Sequence, residues 1–310
     1  MIIGVVLILS FRSELIAQQG VSAIVEKISG TVLLKQNGKQ ITLNAKTDIA
    51  RRLFAGDSVH CESGAKLSLR VGGRATELDD KSGWFVIPQP TSQTDPRQRA
   101  IDAYGRIGGR SRGGPIPTSL VYSPADMSDV VPEFFVIRWT SFKSPCLQSL
   151  MIVDDRGKKL WEQARVNSAI GRLNSGSARQ ALVNYQAKSE TRKLTLKFAS
   201  ACGTPDESTF YLLSLENEQK LKNELARWDK ESDHLFAHLG RASVFGEARM
   251  STLAADEYEA ALALAPQSRD LIDSTAKAEG EAGNVQRMKQ LEKRLTVETD
   301  ASRKQVDTKP

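Results

Sequence analysis

The sequence predicts a multidomain protein: two all-β parts in succession, then α-helical hairpins. Three observations predict it. Between residues 25 and 87 short apolar runs recur between turn residues, and Ala65-Lys66-Leu67-Ser68-Leu69-Arg70-Val71 alternates strictly, the period of a half-buried strand. A second set of short strands fills residues 120–215, with Asp154-Asp155-Arg156-Gly157 as turn chemistry between two of them. From Glu216 onward the apolar period changes from two to about 3.6. A chain of 310 residues has room for two or three domains.

Residues 1–22 open the chain. Ile2–Phe11 is apolar but too short to span a bilayer as a helix. It suits the apolar region of an export signal, with Val21-Ser22-Ala23 as a small-x-small cleavage site, although no Lys or Arg precedes it. The competing reading is a buried N-terminal strand. No transmembrane span is expected.

Residues 23–88 form the first β part. Its spine is Gly30-Thr31-Val32, then Leu53-Phe54-Ala55-Gly56-Asp57-Ser58-Val59, then the alternating run. Gly83–Ile87 reads as the closing strand, ended by Pro88, which cannot donate into a ladder. Gly56 and Asp57 read as a structural turn, with glycine supplying a permissive backbone and aspartate accepting from nearby amides. The pattern G-T-V, L-x-x-G-D-x-V, A-x-L-x-L resembles the FecR-type β domain over residues 23–88. That resemblance implies an extracytoplasmic β module, as in iron-transport regulators and in other bacterial envelope proteins. Cys61 and Gly72-Gly73-Arg74 depart from the family pattern.

Residues 89–119 are rich in proline, glycine and arginine and read as a flexible basic linker, because such a composition buries too little apolar area to offset its ordering entropy. Gly108–Gly114 looks like an RGG-type segment. One copy without interleaved aromatics does not make a nucleic-acid binder, and no nucleic-acid partner is expected.

Residues 120–215 read as a sandwich. Phe134–Trp139, Leu150–Val153, Lys158–Trp161, Leu194–Phe198 and Phe210–Leu213 are its strands. About seven short strands over this length suit an immunoglobulin-like fold. Tyr122-Ser123-Pro124 and the spacing from Pro132 to Trp139 resemble the Ig-like modules that follow FecR-type domains. Export would allow Cys146 and Cys202 to form a disulfide; the alternative is three free, mostly buried thiols.

Residues 216–297 carry five apolar stripes: Leu221, Leu225, Trp228; Leu235, Leu239, Ala242, Phe245; Ala254, Tyr258, Ala261, Leu262; Leu271, Ile272, Ala276; and Val285, Met288, Leu291, Leu295. The set Ala242, Phe245, Ala254, Tyr258, Ala261 and Pro266 resembles tetratricopeptide (TPR) packing positions. Small residues at Ala254 and Ala261 let helices approach, Tyr258 fills the adjacent groove, and Pro266 stops the helix. At most two repeats are visible, so the array must be capped by neighbouring helices or dock on the sandwich or on a partner. Residues 298–310 read as a disordered polar tail.

No constellation of catalytic residues emerges. His234 and His238 share a helix face but lack the intervening glutamate and a third ligand. GxSxG and Walker A patterns are absent, no CxxC pair is present, and neither a metal nor a cofactor is expected. A net charge of +6 and pI near 9.2 suit anionic lipids or acidic envelope polymers as well as any nucleic acid. Together these readings lead to a non-catalytic, periplasmic or otherwise extracytoplasmic binding or scaffold protein. Its expected partners are a protein, met through the helices or the β domains, or an anionic envelope polymer. The alternative is a FecR-type signalling component of iron-transport or sigma-factor regulation.

Overall fold

The computed structural model describes residues 20–90, 95–107, 121–139, 147–166, 171–200 and 206–306. β-sheets occupy the N-terminal and middle parts, and five helices follow.

The first part pairs two four-stranded sheets. β1 (Val21–Ser29), β4 (Arg52–Phe54), β6 (Lys66–Val71) and β7 (Arg74–Asp79) form one, in the order β4-β1-β6-β7. β2 (Val32–Gln36), β3 (Lys39–Leu43), β5 (Ser58–Cys61) and β8 (Phe85–Val86) form the other, in the order β3-β2-β5-β8. Their facing side chains, among them Val25, Val32, Leu34, Leu53, Val59, Leu67, Leu69 and Ile87, make one closed core. In this sheet the first half of β1 is buried on both faces, whereas β7 is largely exposed. Val21 to Val25 are buried without alternation, because Val21 and Ile24 belong to a second core shared with the helices. The β part therefore starts at Val21, earlier than the expected boundary at 23. Cleavage after Ala23 would remove three buried residues from β1.

The expected linker is in part a helix. α1 (Pro96–Arg106) starts with proline at its first turn, and Asp95 caps it by accepting from the Arg97 amide at 2.8 Å. Composition misled here because only three side chains, Ala100, Ile101 and Tyr104, form its apolar stripe, and all three are buried against β1 and the later helices. Gly105 is part of the fit: a Cβ there would lie 2.3 Å from Val21 Cγ2. The other residues of the proposed linker from 91 to 94 and from 108 to 119 lie outside the described residues, as do 1–19.

The middle part has a five-stranded sheet and a three-stranded sheet. β9 (Val121–Ser123), β11 (Ile137–Trp139) and β14 (Arg172–Leu173) form the smaller, in the order β14-β11-β9. β10 (Ser128–Val130), β12 (Leu147–Asp154), β13 (Lys159–Ala164), β15 (Lys193–Ser200) and β16 (Asp206–Leu212) form the larger, in the order β10-β16-β15-β12-β13. The β10–β16 pair is parallel. Two expectations change. Phe134–Trp139 is not one strand: Pro132–Phe134 is a 3₁₀ turn and only Ile137–Trp139 is extended. A helix, α2 (Gly176–Gln186), interrupts the run of strands and buries Ala178 and Leu182 in the sheet core. Its cap Ser175 and the spacing Ala178, Ala181, Leu182, Tyr185 were visible in the sequence.

The five stripes become five helices: α3 (Leu215–Trp228), α4 (His234–Glu247), α5 (Ser251–Leu264), α6 (Arg269–Glu281) and α7 (Val285–Val306). Each packs on the next. Side-chain oxygens of Ser214, Asp233 and Ser268 cap α3, α4 and α6. The tail expected to be disordered from 298 is helical to Val306.

Candidate binding surfaces

The turn residues come first. Gly56 sits at φ +87° between β4 and β5, a region that favours glycine. Buried Asp57 accepts from the Phe54 amide at 2.9 Å and from Gln36 Nε2 at 2.8 Å. The backbone amides of Gly56 and Ile87 donate to the carbonyls of Ile87 and Asp57, at 2.9 and 2.8 Å. The pair thus ties the β4–β5 turn to the closing strand.

Of the six helical packing residues, Ala242, Phe245, Ala254, Tyr258 and Ala261 are buried in one core, and Pro266 lies just past α5 with its carbonyl accepting from Arg294. The two large ones also reach beyond the helices. Tyr258 stacks on Tyr104 of α1 with centroids 6.3 Å apart, and Phe245 meets Phe134 of the middle part edge-on at 5.8 Å. The helices therefore carry a seam on each side.

The seam to the first β part is polar and deeply buried. Arg70 leaves the polar face of β6, yet is only 7% exposed. Its Nε donates to Glu26 at 2.6 Å, its guanidinium lies 3.6 Å from Glu231 and 3.9 Å from Asp233, and it covers the Phe236 ring at 4.5 Å. Burial pushes the Glu26 carboxyl up to about 7; the Arg70 charge opposes that rise and Asp233 adds to it. A second cluster joins β4 to α6. The Arg52 amide donates to Asp270 at 2.7 Å, its guanidinium bonds Ser274 and covers the Tyr104 ring at 4.6 Å, and the Tyr104 hydroxyl donates to the Ala50 carbonyl at 2.9 Å.

The seam to the middle part is more exposed. Arg138 of β11 makes a two-pronged pair with Asp256 of α5, whose side chain is 41% exposed. Arg249 pairs with Asp129 at 2.7 Å, and Lys222 with Glu133 at 2.8 Å. Below Arg138, Glu279 is buried near Glu259 and Asp256, and burial first, then those carboxylates, push it up to about 7 against the Asn284 hydrogen bond. The cleft between Pro124, Phe134, Arg138 and the start of α5 holds about 40 Å³, space for a few waters.

One face stays uncovered. On the outer side of the β3-β2-β5-β8 sheet, register sets Gln40, Lys35, Ser58 and Val86 in one row and Thr42, Leu33 and His60 in the next. Trp84, one residue before β8, stacks on His60 with centroids 5.2 Å apart, and the Lys35 ammonium sits 3.9 Å from its ring centre. His60 Nδ1 is tied to the Gly83 carbonyl at 3.1 Å, which holds the stack in place. Trp84 remains 40% exposed and Val86 58%. Sequence reading passed over Trp84 as part of a closing strand; the alternation that sends Phe85 and Ile87 into the core turns Trp84 and Val86 outward.

Among the described residues no group of three or more His, Cys, Asp or Glu side chains is placed to hold a metal ion, and no helix is long and apolar enough to cross a membrane. His238 is engaged with Glu257 at 2.6 Å. Cys61 is a free, buried thiol, and Cys146 and Cys202 lie outside the described residues. Compared with protein-family models and with curated proteins, the chain matches none.

Proposed function

We propose that the chain is an exported, non-catalytic binding or scaffold protein of the bacterial cell envelope. In this reading it is built from a FecR-like β domain, an Ig-like sandwich and TPR-like helices that clamp the other two. The observation that carries it is the division of surfaces. The helix faces that would grip a partner peptide are taken up by α1, β4 and β6 on one side and by Phe134, Arg138 and Asp129 on the other. The aromatic face of the first β part is left open. Recognition of a protein or an envelope polymer then falls to the β domains, and the helices fix how the β domains are presented. The test is fractionation of cells producing the chain with a C-terminal epitope, together with protease treatment of intact spheroplasts. The reading predicts recovery outside the cytoplasm and digestion in spheroplasts. Recovery with cytoplasmic markers, protected from protease, overturns it.

A further inference from the structure

We infer that the mature protein begins at Gln18, released when a signal peptidase hydrolyses the Ala17–Gln18 bond rather than the bond after Ala23. This rests on the proposed export of the chain. The start of β1 carries it. Val21, Ser22 and Ala23 are all buried, and each is built into the fold. Val21 pairs with Phe54 and Ala23 with Leu53 of β4, and Ala23 pairs on its other side with Val71 of β6. The Gly72 amide donates to the Ser22 carbonyl at 3.2 Å. α1 is shaped to hold the same entry. Buried Gln98 donates from Nε2 to the Val21 carbonyl at 3.3 Å and to Asp102 Oδ1 at 2.9 Å. Asp102 Oδ1 lies 3.7 Å from where a Cβ on Gly20 would stand, and the missing side chain of Gly105 gives Val21 its room. Hydrolysis after Ala23 would strip these contacts and open the core that β1 shares with the helices. It would leave buried Gln98 without its Val21 partner and put a charged ammonium on Ile24, which is 1% exposed.

The sequence offers few other places to cut. A signal peptidase needs a small residue just before the cut and favours a small or aliphatic one two positions earlier. After the apolar run, small residues stand at Ser13, Ala17, Gly20, Ser22 and Ala23. Ser13 has bulky Phe11 in the earlier position. Gly20 has polar Gln18 there, and cutting after it would place the new ammonium on buried Val21. Ser22 and Ala23 lie within β1. Ala17, with aliphatic Leu15 in the earlier position, spares the whole strand. It also brings the cut closer to the apolar run: the polar stretch between them is Arg12–Ala17 instead of Arg12–Ala23. The mature chain then keeps only Gln18, Gln19 and exposed Gly20 ahead of β1. In the step itself water adds across the peptide bond. Ala17 leaves as the carboxylate end of residues 1–17, and Gln18 takes the amine. That amine can then displace ammonia from its own side-chain amide and close as pyroglutamate.

Mass spectrometry of the N-terminal peptide tests the site. The full chain carries a C-terminal epitope, is produced in a bacterium and is purified from each cell fraction. Its amines are dimethylated before digestion with an arginine- and lysine-specific set of proteases. The proposal predicts a terminal peptide that starts at Gln18 and runs through Lys27, either dimethylated or lighter by one ammonia as pyroglutamate. Ala17→Phe, which puts a bulky side chain before the bond, should abolish that peptide and let the uncut precursor accumulate, with Ser13–Lys27 continuous. Any other mature terminus in the parent, Ile24 above all, overturns the proposal. So does an uncut parent, or an Ala17→Phe variant still cut at Gln18. Chains begun at Gln18 and at Ile24, each behind an initiator methionine, test the structural reason. The shorter one should unfold at lower urea, and equal midpoints overturn the inference. The two readings fail separately: protein found outside the cytoplasm but starting at Ile24 keeps the envelope reading and loses this site, whereas uncut protein confined to the cytoplasm loses both.

Discussion

The two β parts meet the same helices by different chemistry. The first shares a hydrophobic core with them: Val21, Ile24 and Ala50 sit in one cluster with Tyr104, Phe236, Tyr258 and Ile272, buried Arg70 covers Phe236, and half-buried Arg52 covers Tyr104. The middle part has its own closed core and touches the helices through Val131, Phe134 and ion pairs at the water boundary. Apolar burial and desolvated charge make the first seam hard to open, whereas pairs near water are worth little each. The first β part and the helices are therefore one stability unit, and the middle part is a docked neighbour.

Substitutions that strike one seam and spare the other can break this comparison. The largest effect belongs to Arg70→Ala, which leaves Glu26, Glu231 and Asp233 facing one another without their cation. A loss of about 3–5 kcal/mol in urea unfolding is expected, as for breaking a buried pair. A loss below about 1 kcal/mol would show the seam to be open to water.

Glu279→Gln tests the buried acid near the second seam. Its carboxyl is pushed up to about 7, above the ordinary 4.5, so the folded protein holds the proton more tightly than the unfolded chain. The resulting stability is full below pH 4.5 and is lost as pH rises through 7. Removing the ionisable group should flatten that fall and leave the variant more stable than the parent at pH 8, by up to about 3 kcal/mol. Glu26, also raised to about 7, keeps part of the slope in both proteins. Melting temperatures from pH 4 to pH 9, identical in shape for parent and variant, would contradict the account.

Smaller changes sharpen the comparison. Gly105→Ala puts a methyl group into Val21 at the α1–β1 contact and should cost about 1–3 kcal/mol by overpacking, read from the urea midpoint. Arg138→Ala, the counterpart of Arg70 in the outer seam, should cost about 1 kcal/mol or less, because Asp256 is 41% exposed. Comparable losses for Arg70→Ala and Arg138→Ala would erase the distinction between the seams.

What the sequence showed and hid follows the same division. The five helices were legible because their stripes repeat at 3.6 residues, and the sheets because Leu67, Leu69 and Val71 alternate with polar neighbours. The seams were not. Arg70 and Glu26 look like solvent-facing residues of half-buried strands, since periodicity records which side of a strand is polar and not what covers it. α1 was hidden by arginines on its outer side, although Asp95-Pro96 marked its start. In the open face, Lys35 and His60 lie 25 positions apart in sequence and meet only through the β2–β5 register, so no local pattern joins them to Trp84.

The measurement closest to the central claim is amide hydrogen exchange followed by mass spectrometry, comparing the parent protein with Arg70→Ala. The account predicts that β1, α4 and α6 lose protection together and by the same free energy, while β12 and β15 keep theirs. Loss confined to β1 and β6, with α4 and α6 unchanged, would show that the first β part and the helices are separate units and would contradict it.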